Sequence, residues 1–183
     1  MRIGVDVDGV LADSLTLWVA ELNRYFNKNM QLGEIFFNDI LGTYGITMEE
    51  FHEFVALTEM KMMTSPQPVK DAALYLNKIN EDHFVAIVTA RQEVYRDVTE
   101  EWLAKQGMQY SALVMAGTHQ KRDTCVDLGL DLMIEDTFEV SVNISKADIP
   151  VLLLDTPYNR KTLPALVHRK YSWREIYEYI TNL

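Results

Sequence analysis

Short apolar runs alternate with amphipathic stretches along most of the chain. Ile3-Gly4-Val5-Asp6-Val7 is a β-branched run that ends in acid and glycine, and it predicts a buried strand. Residues 14–28 carry Leu15, Val19, Leu22 and Phe26 at spacings near one helical turn, which predicts an amphipathic helix. Residues 30–46 mix aromatic residues with Gly33, Gly42 and Gly45 and predict no single element. Thr47-Met48-Glu49-Glu50 reads as a capping box that opens a helix running to about residue 60. Ser65-Pro66-Gln67-Pro68 then breaks the pattern as a linker would.

Beyond the linker the alternation is regular. Helices are expected over 69–79, 93–106, 121–128 and 138–147, and strands over 84–88, 112–115, 132–134 and 151–154. Val94, Val98 and Trp102 share a helical stripe and are expected in the core. Ser172-Trp173-Arg174-Glu175 is a second capping box, opening a C-terminal helix to about residue 180. Short apolar strands alternating with helices give an α/β fold, a Rossmann-like parallel sheet covered on both faces. The mostly helical stretch after the first strand interrupts that alternation. The expected organisation is therefore a catalytic core of 1–13 and 69–183, with 14–68 inserted as a small helical cap.

Composition narrows the function classes. Seventeen basic residues against twenty-seven acidic ones leave a net charge of −10 among 183 residues. Such a chain repels polyanions, so partnership with polymeric nucleic acid or an anionic membrane is not expected. Small anionic substrates stay open, because a metal ion can reverse the local field. The lone Cys125 excludes an internal disulfide, and no apolar stretch approaches the ~20 residues that span a bilayer. The chain begins on a core strand rather than a secretory signal, so a cytoplasmic location is expected.

In an open parallel sheet, ligands gather beyond the carboxyl ends of the strands. Asp6-Val7-Asp8-Gly9 follows the first strand, Thr89-Ala90-Arg91 the second, and Glu135-Asp136-Thr137 the strand at 132–134. Three polar or acidic strand ends would thus converge on one crevice. Packed carboxylates repel unless a cation neutralises them. Asp6, Asp8 and Asp136, with water, would supply the all-oxygen shell that Mg²⁺ prefers.

Asp6-Val7-Asp8-Gly9-Val10-Leu11-Ala12-Asp13, Thr89, Lys121 and Glu135-Asp136, in that order, resemble the four motifs of the haloacid dehalogenase superfamily. The opening octapeptide, Asp155-Thr156-Pro157-Tyr158-Asn159-Arg160 and Ser172-Trp173 look most like the 5′(3′)-deoxyribonucleotidase branch. The resemblance implies a Mg²⁺-dependent phosphomonoesterase that dephosphorylates nucleoside monophosphates through an aspartyl-phosphate. Asp6 would attack phosphorus, and Asp8 would protonate the leaving alkoxide and then activate water. Thr89 and nearby backbone amides would hold phosphate oxygens, and Lys121 would add positive charge against nucleophile and phosphoryl group. Asp6, Asp136 and the backbone carbonyl of Asp8 would ligate the metal, with Glu135 behind them. Asp8 also separates this chain from the dehalogenases, which lack an acid at that place.

Three features depart from the animal pyrimidine deoxyribonucleotidases. Ala90-Arg91 stands where those carry serine and proline, Thr137 where they carry arginine, and Ser14 near their base-holding aromatic residue. Arg91 is expected to offer its guanidinium fork to a phosphate oxygen in place of the missing arginine. Phe36-Phe37 and the group Met60, Met62 and Met63 could line a base pocket, although cap core is the commoner role for such residues. Cys125 is expected as packing, and His119 as a solvated loop residue. Two alternatives remain open: a phosphatase for another small phosphate, such as a sugar phosphate or phosphoglycolate, and a non-catalytic binding module that kept the fold.

Overall fold

The computed structural model describes residues 1–35 and 39–183. Six strands form one parallel sheet: β1 Arg2–Val5, β2 Phe84–Thr89, β3 Ala112–Met115, β4 Leu132–Glu135, β5 Val151–Leu154 and β6 Val167–Lys170. Their order is β3-β2-β1-β4-β5-β6, so β1 lies inside the sheet with Val5 paired to Ile87 on one side and Ile134 on the other. The order reverses direction at β1, which places the switch point, and the crevice beyond it, directly after Val5. The Rossmann-like α/β expectation is met.

Alternation along the strands sorts the core into two layers. Ile3, Val5, Ile87, Ile134 and Leu152 face one side, under helices α4 Ala72–Asp82, α5 Arg96–Lys105 and α8 Trp173–Thr181. Val88, Met133, Val151 and Leu153 face the other, with Cys125 of α6 Arg122–Asp127 and Ile144 of α7 Phe138–Ser145. Both faces are dry, which is why these strands read as continuous apolar runs.

Between β1 and α4 come α1 Ser14–Tyr25, α2 Ile40–Tyr44 and α3 Met48–Thr64. They share a third core of their own, built on Val19, Leu22, Ile35, Tyr44, Phe54 and Met62. Trp18 adds ring contacts, edge-on to Phe54 at 5.5 Å and tilted to Phe51 at 5.8 Å. The chain enters and leaves this region through one narrow ribbon. Asp13 N–H donates to the Gln67 carbonyl and Val69 N–H to that of Leu11, both at 2.8 Å.

Several local expectations are met and others corrected. The Thr47/Glu50 capping box forms in full. At Ser172 only half of the expected box forms: Ser172 accepts from Glu175 N–H, while the Glu175 carboxylate takes the Tyr171 amide at 2.8 Å. The stripe through Val94 and Trp102 is broken, since α5 begins only at Arg96 and Val94 lies in the preceding 3₁₀ turn, 76% exposed. Strand β6 had no counterpart in the pattern, because Val-His-Arg-Lys buries only Val167. Charge of this kind suits a sheet edge, where it discourages pairing with another chain. Met62 packs into the third core and Met60 is exposed, and Phe36-Phe37 lie outside the described residues. No helix among the described residues is long and apolar enough to cross a membrane.

Candidate active site

Asp6 is the first residue past β1, and its backbone stays in the sheet through an N–H bond to Ile134 O at 3.0 Å. Its carboxylate is held at both oxygens. Oδ1 accepts the Val7 amide at 2.7 Å, and Oδ2 lies 2.8 Å from Lys121 Nζ. Lys121, fully buried, also donates to Glu135 Oε1 at 2.7 Å. The other Glu135 oxygen accepts the Asp136 and Thr137 amides, each at 2.9 Å. Glu135 therefore acts as a fixed strut that orients the Lys121 ammonium and the turn carrying Asp136.

Asp6, Glu135 and Asp136 each offer a carboxylate oxygen within 4.8 Å of the others. Crowding and burial set their ionisation. Burial pushes the Asp6 carboxyl up to about 7, with Glu135 and Asp8 acting in the same direction against Lys121. Asp136 is raised well above the carboxylate range by burial and then by Glu135 and Asp6. Burial would raise Glu135 too, but Lys121 and the two amides hold it low. Burial would lower the Lys121 ammonium, yet Asp6 and Glu135 together hold it above its ordinary value. A cluster of this charge and donor type stores repulsion that a small oxygen-loving cation would relieve. The donor set fits Mg²⁺.

Asp8 sits apart from that cluster. Gly9, at φ +82°, turns the chain after it. The Asp8 carboxylate is gripped by Arg91, with Nε 2.9 Å from Oδ2 and Nη2 2.8 Å from Oδ1, and by the Ser14 hydroxyl at 2.6 Å. Burial works to raise this carboxyl, but Arg91 and then Ser14 outweigh it and hold it below its ordinary value. Arg91 thus turns its fork to the Asp8 carboxylate, whereas the expectation from sequence was a phosphate oxygen. The fork is already occupied by a carboxylate of matching shape.

Asp6, Asp8, Ala90, His119 and Asp136 line a cavity of about 230 Å³, roofed by Ser14, Leu15 and Trp18 of α1. Thr89 lies behind Ala90, buried, and its hydroxyl oxygen accepts the Arg91 amide at 3.2 Å. His119 is an exposed loop residue as expected, but it borders the cavity. A second recess of about 210 Å³ shares Leu15 and Trp18 with that cavity and is apolar, lined also by Val19, Leu22, Ile40 and Phe51. Cys125 is packed in the core, and burial pushes its thiol up to about 11, in keeping with a packing role.

Four contributors had no site role assigned from sequence, although Ser14 and the Tyr158-Asn159 pair stand among the residues singled out there. Ser14 anchors Asp8, and Trp18 roofs the cavity. Tyr158 borders it and donates its hydroxyl to Asp136 Oδ2. Buried Asn159 clasps two strand ends, its Nδ2 donating at 2.7 Å to the carbonyls of both Asp136 and Leu154. Arg169 in turn holds Asn159 through its side chain and its carbonyl. Tyr158 and Asn159 follow β5, so extending the strand-end rule from three strands to four would have given them a place in the site.

Comparison with known proteins gives a consistent picture. The family model described as 5′ nucleotidase, deoxy (pyrimidine), cytosolic type C protein matches residues 1–183. A nucleotidase from Clostridium acetobutylicum is 31% identical over all 183 residues, which cover 95% of that protein. Among solved structures, a haloacid dehalogenase superfamily hydrolase from Geobacter sulfurreducens aligns with a TM-score of 0.64 at 15% identity, over 98% of this chain and 95% of that one. A haloacid dehalogenase-like protein from Agrobacterium tumefaciens aligns at 0.70 with 13% identity, over 99% and 97%. At such identities these structures speak for the fold alone.

Proposed function

The chain belongs to the 5′ nucleotidase, deoxy (pyrimidine), cytosolic type C family, within the haloacid dehalogenase phosphohydrolases, and from that premise we propose how its own residues perform the reaction. It is a phosphatase of the 5′-nucleotidase kind. The observation that carries the residue assignment is Asp6 at the switch point, 2.8 Å from buried Lys121 and facing the cavity that Asp8 and Asp136 share.

Asp6 attacks the phosphorus of a nucleoside monophosphate. The bond from phosphorus to the ester oxygen breaks, and Asp8 gives its proton to the departing alkoxide. The phosphoryl group then rests on Asp6 as an acyl phosphate. Asp8, now a carboxylate, takes a proton from water, whose oxygen attacks phosphorus. The bond to Asp6 breaks, releasing inorganic phosphate. Asp8 starts from an ionised state favoured by Arg91, and a dianionic phosphate arriving beside it pushes it back toward its protonated form. Lys121 offsets charge on Asp6 and on the phosphoryl oxygens, and the Thr89 hydroxyl with the Ala90 amide holds those oxygens.

Mg²⁺ would be held by Asp6, Asp136 and the Asp8 carbonyl, with Glu135 and Tyr158 steadying the carboxylates around it. Bound there, it would neutralise phosphoryl oxygens that otherwise repel an anionic nucleophile. The acidic cluster and the family's chemistry support this assignment.

Residues 14–68 act as a cap over a core of 1–13 and 69–183. Their separate apolar core and single paired ribbon of entry and exit support that division. The cap also suggests the substrate. An apolar recess sharing Trp18 with the acidic cavity suits a leaving group that carries an aromatic base, which favours nucleotides over sugar phosphates. The cytosolic description of the family supports a cytoplasmic site of action.

The test is phosphate release from ribo- and deoxynucleoside monophosphates and common sugar phosphates, with Mg²⁺ and with a chelator, alongside Asp6→Asn. The expected result is Mg²⁺-dependent release from a subset of nucleotides, abolished in a folded Asp6→Asn protein. Release from sugar phosphates alone would keep the mechanism and move the substrate. Wild-type turnover by Asp6→Asn would overturn the acyl-phosphate scheme.

A further inference from the structure

The Arg91 side chain is only 2% exposed, and four hydrogen bonds account for its orientation. Two go to the Asp8 oxygens. The other two leave Nη1, one to Thr99 Oγ1 at 3.1 Å and one to the carbonyl of Met63 at 3.3 Å. Thr99 donates its own hydroxyl hydrogen to Tyr95 O at 2.7 Å, so the oxygen is free to accept from Arg91. The guanidinium is therefore braced from α5 and from the last turn of α3, and it presents two parallel N–H groups to a single carboxylate.

That carboxylate needs bracing. The Asp8 side chain keeps 39% of its surface exposed to the cavity, and its backbone lies beyond the sheet, held by an isolated bridge to Ala12. A lone ammonium would offer one point of attachment and leave the carboxylate plane to rotate. A planar fork fixes both oxygens at once. Ser14, opening α1, supplies the third point at 2.6 Å.

We infer that Arg91 is a positioning residue, not a phosphate ligand: braced on Thr99 and the Met63 carbonyl, it fixes the plane of the Asp8 carboxylate toward the leaving oxygen. This rests on the reading of Asp8 as the proton donor to that oxygen. It departs from the expectation drawn from sequence, in which Arg91 bound the phosphate itself.

The two roles separate by leaving group. A nucleoside alkoxide needs a proton as it departs, whereas 4-nitrophenolate does not. Single-turnover release with Mg²⁺ would be followed for a nucleoside monophosphate and for 4-nitrophenyl phosphate, using wild type, Arg91→Met, Arg91→Lys, Thr99→Val and Asp8→Asn. In Arg91→Met, release of the nucleoside should slow by roughly 10²-fold and of nitrophenolate by less than about threefold, with half-saturating substrate unchanged. Arg91→Lys should behave like Arg91→Met despite keeping its charge, and Thr99→Val should show a smaller loss of the same selectivity. These two also carry the test if Arg91→Met fails to fold. Equal loss on both substrates, a large rise in half-saturation, or full rescue by lysine would overturn the inference. If Asp8→Asn itself fails to discriminate between leaving groups, the proton-donor reading falls instead; if it discriminates and Arg91→Met does not, only the role of Arg91 falls.

Discussion

A β-carbon on Gly9 would stand 1.9 Å from Oδ2 of Asp136. The turn that follows Asp8 and the strand end that brings Asp136 into the site thus occupy the same space, and only hydrogen fits between them. Gly9 also adopts φ +82°, a conformation costly to any L side chain. Gly9→Ala should push the Asp136 carboxylate out of the cluster while leaving the sheet intact. The expected outcome is a fall in Mg²⁺ affinity of about 10- to 100-fold, comparable to other losses of ligand orientation. Calorimetric titration of Mg²⁺ reads this directly, and unchanged affinity would show that Asp136 is not placed by this contact.

Lys121 offers a second test, on stability. Its ammonium is the shared partner of Asp6 and Glu135, and all three side chains are buried. Lys121→Met would leave two carboxylates facing each other without a cation. Removing one member of such a group costs about 3–5 kcal/mol. Denaturant unfolding in a chelator should show that loss, and Mg²⁺ should recover part of it by supplying the missing positive charge. A variant as stable as wild type in the chelator would mean that Asp6 takes up a proton at little cost.

The elements that sequence predicts best here are those whose side chains obey one period. β1, β2, β4 and β5 alternate between two dry faces, so all but their end residues are apolar or glycine and the runs are unmistakable. β6 buries one residue at an edge and carries His168, Arg169 and Lys170, so no periodicity marks it. The site divides in the same way. Asp6, Lys121, Glu135 and Asp136 follow from strand ends and motif order. The grip of Arg91 on Asp8 does not, because it spans eighty-three positions and depends on how α3 and α5 brace the guanidinium. Asn159 stands in a quoted motif, but its role was equally illegible: its value lies in two carbonyls, and backbone atoms carry no sequence signature.

Trp18 is the side chain through which the cap should discriminate among substrates. It borders both the acidic cavity and the apolar recess, and its ring is already steadied by Phe51 and Phe54. Base-to-aromatic stacking contributes about 1–3 kcal/mol, so Trp18→Leu should raise KM for nucleoside monophosphates by roughly 5- to 150-fold. Turnover of a small phosphate without a ring, such as glycerol phosphate, should be nearly unaffected. An equal effect on both would assign Trp18 to cap packing rather than to the base.

Acid stability should report on the network behind Asp136. Asp155 pairs with Arg160, 2.8 Å from Nη2, and with Arg169 Nη1, also at 2.8 Å. Its carboxyl is held below the ordinary value, first by the hydrogen bond from Arg160 and then by the surrounding positive charge. A depressed folded-state pKa means that the unfolded chain binds the proton more readily. The stabilisation is therefore complete above the unfolded value of about 3.9 and disappears as pH falls through the lower folded value. Asp155→Asn should cost about 1.5–3 kcal/mol near neutrality, the usual worth of a hydrogen bond to a charged group. The gap between wild type and variant should close below about pH 4. Because Arg169 also holds Asn159, which holds the Asp136 carbonyl, the variant should bind Mg²⁺ more weakly at neutral pH as well. Denaturant melts across pH, paired with metal titrations, separate the two effects. A gap that stayed constant through the acid range would mean that Asp155 contributes through shape rather than charge.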